Sequence, residues 1–400
     1  MNGASKHDYD VVVVGARAAG AATARLLARS GLRVLLVDRS RYGADTLSTH
    51  ALMRGGVLQL SRWGLLDEVI AAGTPPVRRT TFRYASAVVP IPIKSSHGVD
   101  ALYAPRRTVL DPILVDAAVA AGVDVRFGIA VTDVERAGHG AVTGIVGRTR
   151  DGQAFRARAR IVVGADGIRS TIAERVGAPF ERLGTSAAAV TYGYWSRLEA
   201  DGYEWNFRPD AASGVIPTND GQVCVFASAS PRRIGRGGLD PLVRIVAESS
   251  PDLAARLAAA MPPPALRTLT GQRGHVRRSW GRGWALVGDA GYFKDPLTAH
   301  GLTDALRDAE LLARGIIAVF DGADEHDALG EYQATRDALS AALFDVTDVI
   351  AGHRWTDDEI ADLLLQLSAA MAGEVDALAA LPAPAVPEAE LIGSPSVHCG

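Results

Sequence analysis

The sequence predicts an α/β chain in which a parallel-sheet domain is interrupted by an antiparallel sheet domain and closed by C-terminal helices. Three observations predict it. The first forty residues read strand, helix, strand. The middle of the chain alternates apolar with polar residues between turn signals. After Trp284 the chain returns to strand and then helix, as a split domain does when distant chain completes it.

Val11-Val12-Val13-Val14 is a β-branched run ending at Gly15, the pattern of a strand buried on both faces. Ala18 to Ser30 is rich in alanine and leucine and stops at Gly31, a helix and its C-terminus. Arg33 to Val37 is a second buried strand closed by Asp38. A helix is expected from His50 to Ala72, interrupted by Gly55, Gly56 and Gly64. Alternation from Thr80 to Ile93 predicts antiparallel strands. Leu110 to Ala121 reads as helix and Val123 to Phe127 as strand. Two strand segments flank the hairpin dipeptide Asp151-Gly152. Residues 184–228 hold more short strands, with a turn at Asn219-Asp220-Gly221. Ala285-Leu286-Val287 is a late strand, and residues 323–381 read as helical.

Composition narrows the class. The chain has 400 residues, 48% hydrophobic and 22% charged, which is globular. At roughly 150 residues per domain it holds two or three units. A net charge of −3 gives no electrostatic reason to bind nucleic acid. Cys224 and Cys399 match no metal spacing and do not suggest a disulfide framework. The polar start, Met1 to Asp10, lacks an apolar signal core, and the longest apolar runs are short for a bilayer. A soluble, cytoplasmic protein without a membrane span is the expectation.

Gly15-Ala16-Arg17-Ala18-Ala19-Gly20 lies between the first strand and its helix, where a dinucleotide fingerprint belongs. Gly15 suits the tight turn, Gly20 close packing of helix on strand, and the helix N-terminus a pyrophosphate. Asp38, followed by Arg39, stands 23 residues after Gly15, where a carboxylate meets ribose hydroxyls. Arg17 replaces the middle glycine, so its side chain must turn from the phosphates or touch them. The loop alone does not separate NAD from FAD.

Two later motifs do. Gly164-Ala165-Asp166-Gly167 follows the strand Ile161-Val162-Val163, and Gly288-Asp289-Ala290-Gly291 follows Ala285-Leu286-Val287. Pro296 and Gly301 then precede a helix. In this order the three motifs resemble the class A FAD-dependent monooxygenases, the para-hydroxybenzoate-hydroxylase-like superfamily related to geranylgeranyl reductases and flavin-dependent halogenases. The resemblance spans roughly residues 9–315. It implies a Rossmann-like FAD-binding domain with an inserted antiparallel β-sheet substrate domain. It places Asp289 on the flavin ribityl chain, the amides of Gly301 and Leu302 by the pyrimidine ring, and Asp166 near the pyrophosphate. Arg107, opening Arg-Thr-Val-Leu-Asp, contacts FAD by the same resemblance, and Val131 meets adenine. The segment Asp45 to His50 approaches the isoalloxazine ring by the same resemblance, which makes His50 a candidate for the reaction site, and His300 is another because it immediately precedes Gly301.

The implied chemistry is monooxygenation. NAD(P)H reduces FAD, oxygen adds at flavin C4a, and the hydroperoxide oxygenates a small aromatic or polycyclic metabolite. Phe82, Tyr84, Tyr192, Tyr194, Trp205, Phe207 and Phe226 are the candidate substrate wall, with alternation expected to send only some of them to a ligand. A geranylgeranyl-reductase-like C=C reductase is the first alternative. A halogenase is disfavoured because Ile216-Pro217 lacks the preceding tryptophan pair, and Lys94 and Lys294 lack the context of a catalytic lysine. A non-catalytic FAD-binding protein and reduction by a separate flavin reductase also stay open. The expected division is 1–75, 98–180 and 272–320 for the FAD-binding domain, 76–97 and 181–271 for the substrate domain, 321–381 for the helical segment, and 382–400 for a flexible tail.

Overall fold

Aliphatic strands with no polar face need cover on both sides, and the central sheet supplies it. In the computed structural model, which describes residues 7–383, the strands Tyr9–Val14 and Val34–Asp38 pair in parallel with Val11 opposite Val34. Ala154–Gly164 and Trp284–Leu286 continue the sheet on one side and Asp124–Phe127 on the other. One face carries Val11, Val13 and Leu36 under the helices Ala18–Arg29, Arg107–Ala120 and Gly301–Phe320. The opposite face carries Val12, Val14 and Leu35 under an antiparallel meander. Ile129–Arg136, Val142–Thr149 and the first half of Ala154–Gly164 form that meander, turning at Asp151-Gly152.

The inserted sheet has seven strands, in the order Arg267–Leu269, Ala189–Trp195, Val223–Ala229, Ala211–Pro217, Tyr203–Arg208, Arg79–Tyr84 and Ala87–Pro92. Only Tyr203–Arg208 against Arg79–Tyr84 is parallel within it. Helices Leu239–Ser249 and Pro251–Ala259 cover one face. The other face looks toward the first domain and the C-terminal helices Glu325–Ala351 and Asp357–Ala380. A small sheet of Phe180–Leu183, His275–Arg277 and Tyr292–Phe293 lies where the chain passes between the two large sheets.

Several expectations need correction. The helix placed from His50 starts only at Arg54, because His50 sits in the left-handed region at φ +48°. It breaks after Arg62, where Gly64 adopts φ +72°, and resumes at Leu66–Ala71. The helices between Pro231 and Ala259 were not legible as such. Asp357–Ala380 is long and apolar enough to cross a bilayer by length and composition, contrary to the reading of short apolar runs. Counting consecutive apolar residues missed it because Gln366, Ser368 and Gly373 interrupt a high average. In the structure this helix is docked along Ile360, Leu367, Glu374, Val375 and Leu378. Most of the tail, residues 384–400 with Cys399, lies outside the described residues, and Cys224 is buried and forms no disulfide among the described residues.

Candidate flavin and substrate site

The three motif loops touch one another. A Cβ on Gly15, which has φ +109°, would stand 2.3 Å from the Ala165 carbonyl oxygen. One on Gly20 would stand 1.9 Å from the Gly15 oxygen, and one on Gly288, at φ +60°, 2.9 Å from Ala19 Cβ. So the first loop packs on the second at Gly15 and on the third at Ala19, and glycine is required at each contact.

Side chains brace this junction. The Ala16 amide donates to Asp38 at 2.8 Å, and the Ser40 amide donates to the other carboxylate oxygen at 2.7 Å. Asp38 thus ties the end of the second strand to the loop, while Arg39 is exposed. Arg17 turns to Asp111 at 3.0 Å and to the Ala44 carbonyl. Asp111 also accepts a fork from Arg107, at 2.9 and 3.1 Å. The Gly128 amide donates to Ser40, which brings the strand bearing the half-buried Val131 to the end of the second strand. Asp166 accepts from Ser170 at 2.5 Å and from the Ile172 amide at 3.2 Å, the geometry of a helix cap. Burial pushes its carboxyl up.

The third loop opens a cleft. Asp289 is deeply enclosed yet keeps solvent-accessible surface. Burial pushes its carboxyl up to about 6, against the pull of Arg107 and then Lys294. Pro296–Thr298 makes a short turn capped by Asp295, and Ala299 bends the chain at φ +52° into the helix that starts at Gly301. Gly301 is exposed while His300 and Leu302 on either side are buried, and a Cβ there would meet nothing within 4 Å. The N-terminus of a 20-residue helix, with its unpaired amides and positive dipole end, therefore opens on free space. Touching glycine loops, a braced first turn and this open terminus suit an extended dinucleotide with a redox ring at one end.

Comparison with known proteins decides the matter: the family described as FAD binding domain matches residues 8–347. The chain belongs to this FAD-binding family. It is 29% identical to menaquinone reductase of Mycolicibacterium smegmatis, over 84% of this chain and 85% of that protein. It is 26% identical to digeranylgeranylglycerophospholipid reductase of Methanocella arvoryzae, over 84% and 85%. Aklavinone 12-hydroxylase DnrF of Streptomyces peucetius is 27% identical over 88% of this chain and 76% of its own. Among solved structures, the flavin-dependent brominase Bmp2 superposes with a TM-score of 0.78 at 20% identity, covering 90% of this chain and 93% of that one. That last likeness is one of fold. The protein is an FAD-dependent oxidoreductase of the mixed α/β class.

In this FAD-binding chain the inserted sheet turns one aromatic face inward. Tyr192, Phe226, Gly214, Trp205 and Phe82 are successive cross-strand neighbours in a single row. Tyr194, Phe207 and Tyr84 lie two residues along from row members, so all seven aromatic candidates share that face. On that shared face Tyr192, Trp205, Phe207 and Phe226 are buried in the core, and Phe82, Tyr84 and Tyr194 are half-buried. Gly214 has no side chain because Phe226 lies across it, with a Cβ there falling 2.2 Å from the ring. Phe207 meets Trp355 of the C-terminal segment at 5.9 Å between ring centroids.

His50 closes the edge of this face. Its ring stacks on Tyr194 at 5.5 Å and 15°, and the Arg106 guanidinium lies 3.6 Å from the centre of the same Tyr194 ring. Burial, then the charges of Arg106 and Arg107, hold the imidazole down to about 3, so it is neutral. Tyr192 accepts from the Ser48 amide at 2.9 Å, and Arg267 reaches Asp45 at 2.8 Å. The segment from Asp45 to His50 is thereby joined to the sheet. Arg106 and Glu374 were missed by sequence reasoning. Arg106 precedes a recognised motif without being part of it, and Glu374 sits in a helix with no motif.

Proposed function

We propose that the chain is an NAD(P)H-dependent FAD monooxygenase acting on a small aromatic or polycyclic metabolite. The aromatic face of the inserted sheet carries this reading. Its half-buried members Phe82, Tyr84 and Tyr194 offer ring surface to a flat ligand, while Tyr192, Trp205, Phe207 and Phe226 are packed in the core behind them. Similarity to aklavinone 12-hydroxylase over most of the chain supports it. In this reading Asp289, Gly301 and Leu302 hold the flavin, which supplies the electron transfer. The C-terminal helices cover the sheet and exclude water. The cytoplasm, with its supply of NAD(P)H, is the proposed compartment.

A second reading, reduction of a carbon–carbon double bond, is favoured by the similarity to menaquinone reductase and digeranylgeranylglycerophospholipid reductase. Oxygen uptake separates the two. In the first reading, aromatic ligands raise NAD(P)H-driven oxygen consumption, and product forms only under air. Equal product formation under nitrogen selects the reductase.

A further inference from the structure

The helix Asp357–Ala380 carries one buried acid, Glu374, into the interior beneath the opening at Gly301. Glu374 lies beyond residues 8–347, so the shared FAD-binding region does not supply it. One carboxylate oxygen is 2.6 Å from His300 Nε2 and the other accepts from Arg307 at 2.8 Å. Arg307 also reaches Asp308 at 2.7 Å, Asp304 at 3.2 Å and Ser340 at 2.9 Å, and Lys294 pairs with Asp304. Asp289 and Tyr292 face the same group from the preceding loop, and Arg336 faces Asp308 from the helix Glu325–Ala351.

The chemistry of the pair follows from its partners. Against the upward push of burial, the Arg307 charge and the His300 N–H hold the Glu374 carboxyl below its ordinary value, so it is ionised. Burial holds His300 below its ordinary value although Glu374 pulls the other way, so the ring is neutral at pH 7. A neutral ring beside a carboxylate donates from Nε2 and leaves Nδ1 bare. His300 Nδ1 is buried and has no hydrogen-bond partner among the described residues. Asp289, Asp304, Asp308 and Glu374 are four carboxylates facing three basic side chains, Lys294, Arg307 and Arg336. The cluster has room for one more positive charge. His300, Asp304 and Glu374 stand close enough together to ligate a metal, but Lys294 and Arg307 already occupy the carboxylates.

We propose that His300 is a proton-holding group of the flavin site and that Glu374 is its positioning residue. Glu374 fixes the Nε2–H form, and Nδ1 takes one proton from solvent as a hydride brings negative charge to the Gly301 helix terminus. No bond other than N–H forms, and the proton returns to solvent when the site is reoxidised. The inference rests on FAD lying at that terminus and is independent of whether oxygen or an alkene is the final acceptor.

The test is the midpoint potential of the FAD-loaded full chain between pH 5.5 and 8.5. The wild type is expected to show changes of slope across this range, where Asp289 at about 6 and Lys294 at about 7 also titrate, and the change due to His300 is the one that His300→Gln removes. Glu374→Gln moves that change toward acid by about one pH unit, since a paired carboxylate favours the imidazolium. Glu374→Asp moves it back toward wild type, and His300→Gln lacks it. Superimposable curves for wild type and Glu374→Gln at equal FAD content overturn the proposal. Should Glu374→Gln fail to retain FAD, nitrogen NMR of histidine-labelled wild type reads the ring directly. His300 protonated at Nε2 and bare at Nδ1 supports the dyad, and the reverse tautomer overturns it.

Discussion

Gly20 shows how little space the cofactor loop leaves. A methyl group there collides with the Gly15 carbonyl oxygen, a backbone atom that moves only if the turn moves. Gly20→Ala is therefore expected to cost about 1–3 kcal/mol by overpacking. The substituted protein should melt at a lower temperature and purify without the yellow colour of bound flavin. A fully loaded Gly20→Ala protein removes this loop from the cofactor site. Asp289 tests the other end. Its carboxylate is enclosed but still reached by solvent, so a ligand hydroxyl can bond to it. Hydrogen bonds to charged groups contribute about 1.5–3 kcal/mol, so Asp289→Ala is expected to weaken FAD binding at least tenfold. Flavin titration by fluorescence quenching measures this, and an unchanged dissociation constant takes Asp289 out of the site.

At the scale of elements, the C-terminal helix pair holds the aromatic sheet face in place. Between its helices Trp355 is buried, packs on Phe207 and His353, and donates to the Ile350 carbonyl at 3.0 Å. Trp355→Ala removes that wedge and is expected to cost about 3–5 kcal/mol. Chemical denaturation measures the loss, and protease cleavage between Gly352 and Asp357 should accelerate. The elements that sequence alone revealed were those with strong local signals: the valine run and its Gly15 turn, the Asp151-Gly152 hairpin, and the late return at Ala285. The long helix from Glu325 was also legible, since its residues are good helix formers. What stayed hidden depends on contacts between distant segments. His50 lies among residues that favour helix, yet its stacking on Tyr194 coincides with a left-handed backbone that starts the helix four residues late. The aromatic candidates were identified one by one, while their common face follows from strand register, which single residues do not announce. Glu374 lies in a helix of ordinary pattern and gains a role only because His300 and Arg307 meet it there.

For the whole molecule, three buried histidines stand at its junctions. His50 joins the first domain to the inserted sheet, His275 lies in the small sheet between Phe180 and Phe293, and His353 meets Ser228 where the C-terminal segment covers the inserted sheet. Burial is the leading cause in each case and holds them at about 3, 4 and 4, below the ordinary value of 6.5. The folded protein thus keeps them neutral, and their contribution to stability is present above pH 6.5 and lost as pH falls toward 4. Asp289 and Asp295 act the other way. Burial raises them to about 6 and about 7, so what they contribute is present below the ordinary carboxylate value and lost as pH rises through those values. On acidification from pH 6.5 to 4 these three histidines, and His300 with them, lose stability, while Asp289, Asp295 and Asp166 regain it. The histidine shifts with printed values together exceed those of Asp289 and Asp295, so the expected balance is a net loss. Thermal unfolding across this range should show a falling midpoint, and replacing His353 with Gln should flatten the slope. A midpoint that holds steady or rises toward pH 4 means that the junction histidines are charged in the native protein, and acid would then leave the contacts between the two sheets intact.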